Sequence, residues 1–328
     1  MKAVLLGLLA SFFFAFTFVL NRQMDLAGGS WIWSASLRYL FMLPMLGLLL
    51  APRGELRAVL RDLKQRPLPW LLWSTVGFGF FYAPLTLAAA YGPSWLVAAS
   101  WQLTIVAGAL LSPLFRVEGG GGDEGRGQRE RHRIPRRVLL FSALILLGVA
   151  LLQIPEAGRG GGGLFRAVAA SGAPSLGGPL FAVFILIAAF AYPLGNRKVM
   201  RLCSGRLTTL QRVFGMTLAS MPFWIVLSVA GLLTVGAPPP AQLLQTFAVA
   251  LSSGLVATLL FFGATDLVHG DMHRLAAVES TQAGEVVFTL LGGVLVFGDH
   301  VPGALGFLGL ALVVGGMTLN SFLHGVKA

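Results

Sequence analysis

The chain has 328 residues, of which 56% are hydrophobic and only 11% charged, with a formal net charge of +11. Soluble domains carry roughly 25% charged residues, so this sequence has too little polar surface to cover a water-soluble globule of its size. Its single cysteine, Cys203, excludes a disulfide framework and a thiolate metal cluster.

Apolar stretches of about 20 residues, each long enough to cross a hydrocarbon core of about 30 Å as a helix, recur along the whole sequence. In chain order they are Ala3–Leu20, Trp31–Leu50, Trp70–Ala90, Ser94–Phe115, Val138–Gln153, Leu176–Gly195, Thr208–Val235, Gln242–Thr265, Leu275–Gly298 and Gly303–Leu323. The expected fold is an all-α polytopic membrane protein with ten spans. With the N-terminus inside, the inner segments hold nineteen Lys and Arg residues, whereas the outer ones hold only Arg22, Arg159 and Arg166. Positive charge collects on cytoplasmic loops, so both termini are expected in the cytoplasm. That balance is lost if the first span is cleaved as a signal peptide, so the span is expected to remain. Trp31, Trp33, Trp70 and Trp73 open helices at the two faces and read as interfacial anchors.

Two segments lack apolar periodicity, residues 118–137 and residues 158–175, and both read as linkers. Gly158, Gly160 and Gly163 match a G-x-G-x-x-G pattern, but without a βαβ unit around them they are linker glycines. The first linker, rich in Gly and Arg, reads as a solvated connection that could rest on anionic headgroups. The chain divides into residues 1–157 and 176–328, two five-helix halves of one transmembrane domain. Weak self-similarity joins them: the stretch from Trp95 to Leu111 aligns with that from Leu275 to Leu291, pairing Ser100 with Ser280 and Gln102 with Gln282. Leu37-Arg38 in the second span likewise echoes Gln211-Arg212 in the seventh. An odd number of spans per half makes such a repeat inverted, an arrangement suited to alternating access around a midplane site.

Three stretches carry a family resemblance: F-F-F-A-F-T-F-V-L-N-R from Phe12, W-I-W-S-A-S-L-R-Y-L-F-M-L-P from Trp31, and E-S-T-Q-A-G-E-V-V-F-T-L-L from Glu279, followed by a glycine-rich last helix from Gly303. The chain resembles the drug/metabolite transporter superfamily, in its ten-helix EamA-type branch, and within it the multidrug resistance efflux transporters. The resemblance implies a plasma-membrane secondary transporter that exports a small organic compound, drug-like or a metabolite. The related small exporters couple to protons through a glutamate in the first helix, whereas Ala3–Leu20 contains no acid. A carboxylate mechanism must draw on residues elsewhere.

Ionisable groups in mid-membrane cost about 2.5–3.5 kcal/mol on insertion scales and ask for a partner or a purpose. At 1.5 Å per residue, Glu285 lies about 15 Å from the inner boundary, with Arg38 about 10 Å and Gln102 about 12 Å below the outer one. Glu279 and Arg212 both lie about 6 Å from the inner boundary. Glu279, Gln282 and Glu285 share an arc of about 120° on the ninth helix, which makes this face the candidate cavity wall. Glu285 is the first candidate for proton coupling and Glu279 the second, whereas Arg212 with Glu279 reads as a structural ion pair. Burial favours a neutral Glu285 and a close Arg38 favours a charged one. Trp101, Tyr82 and Trp224 also sit in mid-span, where ordinary packing competes with lining a site for a flat or cationic ligand.

Pro84, Pro193 and Pro222 mark expected kinks. Gly303, Gly306, Gly309 and Gly315 suit close helix packing and could join two protomers. His269 and His273, with Asp266 and Asp271 nearby, have metal-compatible spacing but read as a polar connection. No cofactor, metal or nucleic acid is expected, nor an enzyme; the expected partners are a small organic substrate, protons and lipids. Two rival readings remain: an uncoupled facilitator or exporter of amino-acid-like, amphipathic metabolites with Arg38 on the substrate carboxylate, and a membrane scaffold or lipid-handling protein whose polar residues are all paired.

Overall fold

The computed structural model describes residues 1–111, 114, 136–158, 177–203, 205–268, 277–278 and 280–324. All regular structure among these residues is helical. The elements are α1 (Lys2–Leu26), α2 (Trp31–Leu50), α3 (Leu56–Gln65), α4 (Pro67–Tyr91), α5 (Ser94–Leu111), α6 (Arg136–Gly158), α7 (Gly177–Cys203), α8 (Thr209–Ala219), α9 (Met221–Thr234), α10 (Pro240–Thr265), α11 (Ala283–Phe297) and α12 (Ala304–His324). By length and composition α1, α2, α4, α5, α7 and α10 can each cross a membrane, and α8 with α9 passes the same test together as a pair bent at a short break, a broken span or a re-entrant loop. Shorter apolar stretches occupy α6, α11 and α12. Leucines on the outer faces of these helices, such as Leu48, Leu186 and Leu295, are exposed, as lipid-facing surfaces must be.

Local chemistry sets the helix ends. Ser30 caps α2 by accepting from the Ile32 N–H at 3.3 Å, and Thr208 with Gln211 forms a reciprocal capping box at the start of α8. The kink expected at Pro222 is a 43° bend between α8 and α9. Trp224 fills its elbow, fully buried, with Nε1 donating to Ser220 Oγ at 3.1 Å. Two spans contain π-helical turns, Thr75–Gly79 in α4 and Ala250–Val256 in α10. Such turns widen a helix and recur at functional sites. Two other helices are interrupted at their polar residues. In α5 the α-helical pattern breaks at Gln102, and a turn at Thr281 and Gln282 precedes α11.

Helix packing pairs α4 with α7, α1 with α10 and α11, α5 with α7 and α11, α2 with α8 and α9, and α6 with α12. At the α4–α7 crossing, a Cβ on Gly195 would run into the backbone of Gly77. Gly309 approaches α6 of the same chain so closely that a Cβ would lie 2.7 Å from the Gly148 carbonyl oxygen.

One element is added and one expectation changes. The basic segment after α2 is itself a helix, α3, because Val59 and Asp62 give it a buried face. Trp70 is no headgroup anchor: it is fully buried under α3 and donates Nε1–H to Asp62 Oδ2 at 3.0 Å. Linker residues 159–176, most of the 118–137 segment, His269, Asp271 and His273 lie outside the described residues.

Candidate functional site

The candidate site is a polar layer inside an apolar bundle. From α2, Arg38 turns inward and is buried. Its Nη1 donates to Thr17 Oγ1 of α1 at 3.2 Å, the Thr17 hydroxyl donates to Ser253 Oγ at 2.7 Å, and Ser253 donates to the Val249 carbonyl at 2.9 Å. Ser253 lies in the π turn of α10, so this relay ties three helices to one guanidinium. The guanidinium carbon stands 4.2 Å from the centroid of the Tyr82 ring, a cation–π contact. The Tyr82 hydroxyl accepts from Asn21 Nδ2 at 3.1 Å. Arg38 Nε is buried without a hydrogen-bond partner among the described residues.

Glu285, in the first turn of α11, is also buried. Gln102 and Arg38 are the side chains whose charge and dipole bear on it. Gln102 Nε2 also donates to the Ala98 carbonyl at 3.2 Å, a bond that the break in α5 leaves room for. Among the described residues no ion pair within 4.0 Å joins Arg38 to Glu285. Arg38 and Glu285 therefore share the layer without the contact of a closed buried ion pair.

Aromatic rings wall this layer. Tyr39 stacks on Trp224 with centroids 4.3 Å apart and meets Tyr82 edge-on at 5.7 Å. Phe81 joins Trp101 at 4.7 Å and Tyr192 at 4.8 Å. Tyr192 shows that the space is open. On α7 it occupies the stripe of Phe181, Ile185, Ala188, Gly195 and Val199, every other member of which is buried. Yet Tyr192 is 38% exposed. A residue on the inward stripe can be exposed only to a chamber inside the bundle. Its hydroxyl shares an electrostatic neighbourhood with Glu285, Arg212 and Arg38.

The structure thus brings together Glu285, Gln102, Arg38, Tyr82 and Trp101 of the sequence-derived set. Gln282, at the turn before α11, is half-buried with its Nε2 unpartnered among the described residues. Arg212 is half-buried on α8, and Glu279, its expected partner, lies outside the described residues. Sequence reasoning missed Thr17, Asn21 and Tyr192. The signal for Tyr192 was present: it is one of only four tyrosines and falls in register with the apolar stripe of its helix.

An inward polar layer within lipid-facing apolar helices defines a multi-pass membrane protein. A family model described as "EmrE: Putative multidrug resistance efflux transporter" matches residues 1–326. The chain belongs to this family, and with it to the drug/metabolite transporter superfamily. It is 49% identical over 323 residues to "Uncharacterized protein YjlA" of Bacillus subtilis (strain 168), covering 98% of this chain and 95% of that protein. It is also 47% identical over 285 residues to "Uncharacterized 42.1 kDa protein in intracellular alkaline protease 3'region" of Shouchella clausii, covering 87% and 70% of the two chains. One solved structure, described only as "Crystal structure of protein", matches with a TM-score of 0.63 over 99% of each chain at 17% identity. That likeness concerns the fold alone.

Proposed function

We propose that the protein is a plasma-membrane exporter of a small, flat organic cation, driven by exchange with protons at Glu285. The observation that carries this reading is the inward exposure of Tyr192 beside a buried carboxylate that no cation touches within 4.0 Å among the described residues. A proton and a cationic substrate compete for one carboxylate, so each excludes the other. Alternation of the site between the two faces then couples proton entry to export. Rings from Tyr39, Tyr82, Phe81, Trp101 and Tyr192 supply surfaces for a flat ligand. Glu279 is the second coupling candidate. The open space beside Tyr192 argues against a scaffold with every polar group paired.

The accompanying architecture is ten spans in a 5+5 inverted repeat with both termini cytoplasmic. Three observations support it. Interruptions fall at Gln102 and Gln282, the glutamines that the repeat aligns. The π turns fall in α4 and α10, the third span of each half. The packing α4–α7 exchanges with α10–α1, and α5–α7 with α11–α1, when the halves are swapped, while α6–α12 and α5–α11 map onto themselves.

The test is transport in proteoliposomes of a fluorescent aromatic cation with and without a pH gradient. Gradient-driven accumulation is expected in the wild type and its loss in Glu285→Gln. Equal accumulation by that variant overturns proton exchange at Glu285. A second reading, export of a zwitterionic metabolite, rests on Arg38 Nε, a buried donor with no partner among the described residues. It is the better one if transport of an amphipathic amino acid fails in Arg38→Gln but ignores the pH gradient.

A further inference from the structure

Away from the polar layer, at the end of the bundle opposite Lys2, one carboxylate ties helices of the two halves together. Asp299, just beyond α11, accepts at Oδ2 from the Ser94 backbone N–H at 3.2 Å and from the Ser94 hydroxyl at 2.9 Å. Ser94 opens α5 and follows Pro93, which makes no side-chain cap of its own. The acceptor that a first helical turn asks for therefore comes from another helix. The α11 side is built for this reach. Gly298 ends α11 in the left-handed region, at φ 66° and ψ 25°, and the Asp299 N–H returns to the Gly293 carbonyl at 3.0 Å. Gly293 permits the close approach, because a Cβ there would collide with the Ser94 hydroxyl and lie 2.6 Å from Asp299 Oδ2. Beside the tie, the buried Trp95 ring meets His300 edge-on at 5.8 Å.

The two tied helices are the ones that carry the polar layer's glutamine and acid. Ser94 stands about 12 Å along α5 from Gln102, at 1.5 Å per residue. Gln102 is where the α-helical pattern of α5 breaks, and a turn at Thr281 and Gln282 precedes α11, with Glu285 in the first turn beyond it. Each tied segment, Ser94–Trp101 and Ala283–Phe297, thus has an interruption at one end and the tie at the other. Breaks of this kind can absorb a hinge rotation. A second tie at the same end, from Gln242 Nε2 to the Ser30 carbonyl at 2.7 Å and Ser34 Oγ at 2.9 Å, joins α10 to α2 and involves neither segment.

We infer that Asp299 is the latch of the outer gate. Its bonds to Ser94 hold the outer segments of α5 and α11 together over the polar layer, and their release lets the segments part about Gln102 and Gln282. Asp299 is a positioning residue, acting on the site through the helices that carry Gln102 and Glu285. This role rests on the alternating access and the topology proposed above.

Two readouts test it, both in a Cys203→Ala background. In the first, Tyr192→Cys places a thiol in the chamber, and its labelling by a membrane-impermeant maleimide is followed from each face in right-side-out and inverted vesicles. Adding Asp299→Ala is expected to raise the outer-face rate about tenfold without raising the inner-face rate. Asp299→Asn, which keeps an oxygen for Ser94, is expected to label at the parent rate. This readout needs no transport. In the second, with Tyr192 retained, Ser94→Cys and Asp299→Cys are joined by copper phenanthroline, and transport of the aromatic cation is expected to stop on oxidation and return on reduction. A tie that never opens would leave transport untouched by the cross-link. Unchanged outer labelling in Asp299→Ala, labelling raised equally by the Ala and Asn variants, or full transport by the oxidised pair each overturns the latch. Absence of transport in the parent overturns the exchange reading instead, and labelling still decides the latch.

Discussion

Two arginines show what separates the rim of the bundle from its middle. Arg206, 43% exposed, closes on a single oxygen of Asp62, donating from Nε at 3.2 Å and Nη2 at 2.8 Å to Oδ1. Arg38 is buried in mid-bundle, holds a threonine hydroxyl and a tyrosine ring, and makes no ion-pair contact with Glu285 in its layer. The rim pair can be satisfied because water solvates what the carboxylate does not. In the middle, an acid kept out of ion-pair contact with the arginine is left open to a proton or a cationic ligand. The lesson is that contact marks structure here, and separation marks the candidate site.

Substitutions can break or sharpen this contrast. The largest expected effect is functional: Glu285→Gln should remove pH-driven transport entirely while leaving the melting temperature close to wild type, because no direct ion pair is lost. A large drop in melting temperature would show that Glu285 is a structural partner after all. Next, Gly195→Val should destabilise the α4–α7 crossing by about 1–3 kcal/mol through overpacking, read by thermal unfolding in detergent. Asp62→Asn should cost about 1–2 kcal/mol, since Arg206 loses its counter-ion while Trp70 keeps an acceptor; its transport should keep the wild-type dependence on the pH gradient. The smallest effect belongs to Thr17→Val, about 1 kcal/mol or less in stability. By freeing Arg38 from its relay it should still shift the apparent substrate affinity, measured as the KM of the proteoliposome assay.

The sequence by itself determined that the chain is a helical membrane protein, since apolar runs of spanning length admit no other way to satisfy the backbone in lipid. It also marked Glu285, Gln102 and Arg38 as sharing a depth, because rise per residue converts position in a helix into position across the bilayer. Only the tertiary structure decided which side chains at that depth face one another. Depth carries no azimuth: Gln102 and Arg38 are buried in the layer of Glu285, one at the break in α5 and the other on the inward face of α2, neither of which a hydropathy profile records. The same limit hid Tyr192, whose in-register position reads as core until the packing around it leaves a space. It hid α3 as well, because the charged residues of a short interfacial helix read as a loop until Asp62 and Trp70, eight residues apart in sequence, are brought into contact.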